Sequence, residues 1–330
     1  MLKYLTLTKI WNFFLLRFSY LLSKTFKSNI HHGQPFSISI EPTTACNLAC
    51  PECPSGLKAF TRPEGNLKTN LNQKLIDELA NKLISIYFYF QGEPFINPDL
   101  LEMIKYAHNK KIYTVTSSNG HFFNNNIAKK TVLSGLDKLI ISIDGTTQEI
   151  YENYRVNGSL EKVINGVENI IHWKKQLKSN SPEVILQFLV TAKNEHQIPT
   201  LKKLGETLGV NKVKLKTIQV YDYKGGNNLI PKNEKYSRYK QIKKGTYKLK
   251  NKLTNSCWRM WSSSVSTHDG RIVPCCFDKD AQHQLGQIKD NDFNAIWNNK
   301  HYNNFRKNIL ANRKAIDICQ NCTEGTKVWV

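Results

Sequence analysis

From residue 36 onward the chain alternates between two hydrophobic periods. Short runs rich in Ile, Val, Phe and Tyr (FSISIEPT, SIYFYFQG, IYTVTSSNG, DKLIISIDG, EVILQFLVTAKN and NKVKLKTIQVY) read as strands. Between them NQKLIDELANKLI, PDLLEMIKYAHNK, NNIAKKTVLSG, LEKVINGVENIIHWKKQLK and IPTLKKLGETLG have the spacing of amphipathic helices. Six strands separated by five helices predict a parallel sheet built from right-handed βαβ crossovers. The strands have little polar interruption, as when helices cover one sheet face and the other lines an interior. The expected fold class is therefore α/β, a (β/α)6 partial TIM barrel. Helix starts support this parse: Asn97 before Pro98 predicts an N-cap, and Thr146 with Glu149 has capping-box spacing.

Two stretches depart from the alternation. In residues 1–33, Leu7, Ile10, Trp11, Phe14, Phe18, Leu21 and Leu22 fall on one helical face, with Lys9, Asn12, Arg17 and Lys24 on the other. Asn12 and Arg17 interrupt the apolar run, which is shorter than the ~20 residues of a spanning helix and lacks a small-residue cleavage site. An amphipathic basic helix is expected, neither spanning a membrane nor removed. Two readings stay open: peripheral contact of residues 1–29 with an anionic membrane surface, or docking against the protein's own body. The second departure is a basic, tyrosine-rich connection over 223–256. Expected boundaries are thus an N-terminal segment 1–33, a barrel 34–222, a connection 223–256 and a small cysteine-rich domain 257–330.

Charge changes this picture little. Lys and Arg number 47 against 26 Asp and Glu, a net +21, but lysine and asparagine are spread along the whole chain, which reads as a solvated surface. A zinc- or cluster-bearing nucleic-acid binder is the alternative class, with salt-sensitive binding and zinc rather than iron as its signature. The eight cysteines fall in two tight groups, unlike a disulfide framework, and imply a reducing, cytoplasmic setting. Residues 1–29 would add contact at the inner face of the membrane.

Candidate chemistry gathers after the strands, where the loops of such a barrel converge. The first strand is followed by Cys46, Cys50 and Cys53 in C-x3-C-x2-C spacing, and later strands by QGEP, SSNG, SIDG and KNEH. Structural zinc needs four protein ligands, so three thiolates fit a cubane iron–sulfur cluster better, with one iron left for an exogenous ligand. His31 and His32 could complete a zinc site only across most of a strand length.

This pattern resembles the radical S-adenosylmethionine (radical SAM) superfamily over residues 36–221. The resemblance implies a [4Fe–4S] cluster on Cys46, Cys50 and Cys53 whose open iron chelates S-adenosylmethionine (SAM). Reductive cleavage would then give a 5′-deoxyadenosyl radical that abstracts a substrate hydrogen. It also implies that Gly92 and Glu93 of QGEP contact the methionine amino group. Ser142 and Asp144 of SIDG would serve the ribose or methionine portion, Arg155 the methionine carboxylate, and Ser117 and Asn119 are further candidates. The chain departs from the family at Gln91, where a glycine is usual, and at Glu52, where an aromatic is usual.

The second group contains Cys257, Cys275, Cys276, Cys319 and Cys322, opening as C-x12-G-x4-C through Gly270. On chemistry alone it is a closed four-ligand site for zinc or [4Fe–4S]. Its placement resembles the C-terminal SPASM extension of radical SAM maturases. That implies one auxiliary [4Fe–4S] cluster on Cys257, Cys275, Cys319 and Cys322, with Cys276 left over. The expected function is hydrogen abstraction followed by oxidation or other modification of the substrate. Implied partners are a reductant such as a flavodoxin or ferredoxin, and either a peptide or protein substrate or a membrane-proximal sugar or lipid.

Overall fold

The structure, a computed structural model, describes residues 2–322. Strands β1 (Ser37–Ile40), β2 (Ser85–Phe88), β3 (Tyr113–Ser118), β4 (Lys138–Ser142), β5 (Glu183–Val190) and β6 (Lys212–Thr217) occupy the six expected positions. Helix α1 (Leu7–Phe26) precedes them, and the single turn α2 (Pro54–Leu57) follows the cysteine loop. The intervening helices are α3 (Thr69–Leu79), α4 (Leu100–Asn109), α5 (Asn125–Leu133), the short α6 (Gln148–Glu152) with α7 (Leu160–Gln176), and α8 (Ile198–Thr207). Beyond β6 come the hairpin β7 (Tyr239–Lys243) and β8 (Thr246–Leu249), then α9 (Trp258–Ser262), β9 (Ser263–Ser266), β10 (Arg271–Val273), β11 (Gly286–Gln287), α10 (Phe293–Trp297) and α11 (Lys300–Asn312).

Two compact units divide these elements. The first comprises the chain up to Ala45, Phe60–Thr116 and Leu253–Cys322; the second comprises Cys46–Ala59 and Ser117–Lys252. In the first unit β1 pairs in parallel with β2 on one side and with β9 on the other. β2 continues in parallel to β3, while β9, β10 and β11 run antiparallel in turn. The C-terminal segment therefore supplies the second neighbour of the first strand, which makes this unit discontinuous in sequence. In the second unit β4, β5 and β6 pair in parallel.

The expected periodicities bury as predicted. Ile38 and Ile40 of β1 are fully buried, as are Val184, Leu186, Phe188 and Val190 of β5. Helix α7 shows why its sequence is helical. The Ser159 side chain accepts from Lys162 N, Glu161 sits in the first turn and Lys174 and Lys175 in the last, and Val163, Val167, Ile170 and Ile171 form its buried face.

Local expectations needed three corrections. Asn97 is not the N-cap of α4, which starts after Asp99: its Oδ1 accepts from Asp99 N (2.9 Å) in the turn before the helix, while its amide donates to Pro42 O (2.8 Å) and Leu67 O (3.1 Å). The cap of α6 is Thr147 rather than Thr146, whose backbone N–H donates to Gln197 Oε1. The 223–256 connection contains the β7–β8 hairpin, tied down by Tyr239, whose ring stacks on Tyr223 at 4.7 Å. Both strands are short and largely exposed, so they offer little apolar periodicity to read.

Helix α1 docks on its own unit, through the side the sequence marks as polar. Lys9, Asn12, Leu16, Ser19 and Ser23 are buried, whereas Leu7, Trp11, Phe14, Phe18 and Leu21 are at least half exposed. Among the described residues no helix is long and apolar enough to cross a membrane.

Candidate functional site

The cysteine loop belongs to the second unit and is held at several points. Ala49 N donates to Val156 O (3.0 Å), and Cys53 N to Cys50 O (3.2 Å). Gly56 allows the turn to close: a Cβ there would lie 2.5 Å from Cys50 N. Cys46 and Cys53 are partly exposed and Cys50 is buried, all three against a core that includes Leu48, Tyr154, Ile218 and Val220. Asn47, between the first two cysteines, accepts from Asn119 Nδ2 at 2.7 Å, and Asn119 Oδ1 accepts from His121 N. Asn119, expected near a cosubstrate, thus fixes the loop; Asn47 was missed because asparagine carries no spacing signal.

Arg155 faces the same loop. Its Nη1 lies 3.9 Å from Cys50 Sγ, and its Nε donates to Asp144 Oδ2 at 2.5 Å. The other Asp144 oxygen accepts from Leu189 N (2.6 Å), and Asp144 is fully buried. Burial is the largest single influence on Arg155 and would lower its pKa, but the Asp144 carboxylate, followed by Cys50, Tyr151 and Tyr154, together outweigh burial and hold the guanidinium well above its usual range. Burial pushes the Cys50 thiol up, against the pull of Arg155. The structure therefore brings Cys50, Asp144 and Arg155 together, with Asp144 orienting Arg155 from behind, and ties Asn119 to the loop through Asn47. Ser142 is buried at the end of β4, and Ser117 is partly buried near the end of β3.

Glu52, the acidic departure in the loop, has a structural task. Its carboxylate accepts from Tyr221 N (2.9 Å) and Asn227 Nδ2 (3.1 Å), joining the cysteine loop to the chain beyond β6. An aromatic side chain offers no such acceptors.

The QGEP residues lie in the first unit. Gly92 has φ +71°, and a Cβ there would lie 2.3 Å from Thr43 O, so both conformation and packing require glycine. Glu93 is buried; its N–H donates to Ala45 O (2.8 Å) and its carboxylate accepts from Phe95 N (3.2 Å). At the exit of β1, Glu41 is fully buried and bidentate with Arg62 (2.6 and 2.8 Å), and it accepts from His268 N (3.1 Å). This buried cluster sets the strand end that leads to Cys46, and no motif spacing disclosed it.

A second site lies wholly in the first unit. Cys257, Cys275, Cys319 and Cys322 line one cavity together with Met260, Phe305, Ile309 and Arg313. Cys276 is not among its lining residues. Arg313 Nη2 lies 3.2 Å from Cys322 Sγ, and Nη1 donates to Ser256 O at 2.5 Å. Burial opposes the Arg313 charge, and the thiols of Cys257 and Cys322 turn its pKa shift upward. Burial likewise pushes the Cys275 and Cys319 thiols up. Among the described residues no three His, Cys, Asp or Glu side chains are grouped for a single metal ion. His31 is committed elsewhere, with Nε2 3.4 Å from Trp261 O and its ring against Trp297.

Comparison with known proteins agrees with this arrangement. Residues 40–172 match the radical SAM superfamily model, and residues 257–323 match SPASM, an iron–sulfur cluster-binding domain. The chain is 33% identical over 135 residues to an AdoMet-dependent heme synthase of Methanosarcina barkeri, covering 41% of this chain and 38% of that one. It is 29% identical over 180 residues to mycofactocin maturase MftC of Mycobacterium ulcerans, covering 54% and 47%. Each match thus spans less than half the length of the relative. The structure of Streptococcus suis SuiB bound to S-adenosylmethionine is similar in fold, with a TM-score of 0.64 at 14% identity over 94% of this chain and 76% of that one. These domains imply a [4Fe–4S] cluster with SAM in the first and auxiliary cluster chemistry in the second. The chain thus contains a radical SAM domain over residues 40–172 and a C-terminal SPASM domain over residues 257–323.

Proposed function

We propose that the protein is a radical SAM/SPASM enzyme that modifies a peptide or protein side chain by hydrogen abstraction and oxidation. The observation that carries this reading is the three-cysteine loop with Arg155 set against it by buried Asp144. Cys46, Cys50 and Cys53 would hold a [4Fe–4S] cluster, and Cys257, Cys275, Cys319 and Cys322 an auxiliary one. When bound, the first cluster supplies the electron that cleaves SAM to methionine and a 5′-deoxyadenosyl radical.

The chain's own groups orient and shield that chemistry. Arg155 is fitted to a carboxylate such as that of the methionine moiety, and its fixed fork needs little reorganisation because Asp144 already holds Nε. Asn119 and Asn47 fix the loop that carries the thiolates. On the QGEP and SIDG motifs, Gly92 and Glu93 are assigned to the methionine amino group and Ser142 to the ribose. Four thiolates at the second site leave no position for substrate, which favours an electron-accepting role there. A peptide substrate draws support from two relatives: a maturase, and SuiB, which has been seen bound to its precursor peptide.

The test is anaerobic reconstitution followed by incubation with SAM and dithionite. The expected result is 5′-deoxyadenosine, its formation lost on replacing Cys46, Cys50 or Cys53 by alanine. Zinc occupancy without cleavage overturns the proposal. Peptide and metabolite profiles of cells with and without the protein then test the substrate class: an accumulating unmodified peptide supports it, and an accumulating sugar or lipid contradicts it.

A further inference from the structure

Helix α1 is amphipathic with its polar side inward. Lys9 Nζ donates to Lys111 O (2.7 Å), and Asn12 accepts from Gln34 N (2.9 Å) while donating to Gln34 O (2.8 Å). Ser19 Oγ accepts from His32 N and Ser23 Oγ from Ile30 N, both at 3.0 Å. These bonds pin the helix to the returning chain, so it cannot roll its apolar side inward without leaving buried polar groups unpaired. On the opposite side Leu7, Ile10, Trp11, Phe14, Phe18 and Leu21 are 37% to 87% exposed. At helical spacing they occupy an arc of about 100°. Apolar side chains are usually scattered on a soluble surface; a continuous stripe of this kind marks a contact.

The surrounding charge says what the stripe meets. The chain up to Ile40 contains no Asp or Glu, while Lys3, Arg17, Lys24 and Lys27 are exposed along or beyond the helix. Arg17 stacks over Trp258 at 4.9 Å, which fixes its guanidinium at the margin of the stripe. Two copies packed stripe to stripe would bring these cations together, whereas anionic headgroups would neutralise them. Trp, Phe and Leu on one face with cations at its edges is the composition of a helix lying in a lipid interface.

We propose that the exposed stripe of α1 docks the protein on an anionic phospholipid surface, with Trp11, Phe14 and Phe18 inserted at the headgroup–acyl boundary. The helix lies flat and already folded, so binding orders little new chain. This is independent of the chemistry proposed above, and SAM cleavage measured on the same samples separates failure of one from failure of the other.

The test is co-sedimentation of the full-length protein with vesicles of equal parts phosphatidylglycerol and phosphatidylcholine, and with phosphatidylcholine alone. The wild type is expected to bind the mixed vesicles at least about 10-fold more tightly than the neutral ones. Trp11→Glu with Phe14→Glu is expected to weaken that binding by at least about 10-fold with thermal unfolding unchanged, since both side chains face solvent. If that variant misfolds, Phe18→Ser with Leu21→Ser makes the same test. Absence of wild-type binding, or equal binding by a folded variant, overturns the proposal. A concentration-dependent dimer dispersed by the same substitutions also overturns it, by assigning the stripe to a second copy.

Discussion

The loop over residues 46–53 and the cavity near the C-terminus each set an arginine against a thiol, but they treat its charge differently. Arg155 is locked to buried Asp144, so most of its charge is already answered within the protein and its remaining donors are aimed at the loop. Arg313 makes no ion pair with a carboxylate among the described residues; a backbone carbonyl and the Cys322 sulfur are its partners. Three thiolates beside an arginine that Asp144 orients by its Nε, leaving Nη donors toward the loop, suit an open site where those donors can meet a carboxylate. Four thiolates with an uncompensated arginine suit a closed anionic cluster held for electron transfer. On the proposed reading, donor number and arginine pairing together distinguish the reactive site from the electron-accepting one.

Removing thiols has the largest expected effect. Alanine at Cys46, Cys50 or Cys53 should reduce 5′-deoxyadenosine formation to background while iron at the second site is retained. Alanine at Cys319 and Cys322 should leave cleavage detectable and stop turnover of the peptide, as product analysis by mass spectrometry would show. Equal loss in both sets breaks the division of labour.

The next effect is on stability. Arg155→Met leaves Asp144 buried without its counter-ion and should cost about 3–5 kcal/mol in urea unfolding. The double replacement with Asp144→Leu should recover much of that loss, giving a large coupling energy in a double-mutant cycle. Arg313→Met leaves no unpaired carboxylate behind and should cost less, about 1.5–3 kcal/mol, with a fall in iron content. A larger penalty at Arg313 than at Arg155 would reverse the comparison.

The smallest effect is on pH. His31 is buried in the unit that carries the second site, and burial first, then the charge of Arg306, lowers its pKa to about 3. The unfolded chain binds this proton more readily, so the contribution of neutral His31 is complete above about pH 6.5 and declines as pH falls toward 3. The unfolding free energy from urea titrations should drop between pH 7 and pH 5.5 by no more than about 1.4 kcal/mol per pH unit from this group. His31→Gln should flatten that slope, and an unchanged slope would assign it to other groups.

Much of this was legible in the sequence because it is local. The six strands and their intervening helices follow from side-chain period, and the cysteine groups from spacing. Partner choice was not legible: Ser263–Ser266 has one apolar residue in four, yet it forms the strand beside β1. Long-range polar contacts were also invisible. Asn97 reads as a cap but serves two distant carbonyls, Glu52 reads as a departure from the family but ties down Tyr221 and Asn227, and Asn47 has no motif at all. In α1 the apolar periodicity gave the helix correctly and its orientation not at all, because buried Asn12, Ser19 and Ser23 find backbone partners that no periodicity records.

The central distinction between an open and a closed site is tested most directly by electron paramagnetic resonance of the reduced protein with and without SAM. In the variant lacking Cys319 and Cys322, SAM should change the signal of the remaining cluster. In the variant lacking Cys46, Cys50 and Cys53, the remaining signal should be the same with and without SAM. A SAM-dependent change in the second variant, or none in the first, would contradict the assignment of the open iron to the 46–53 loop.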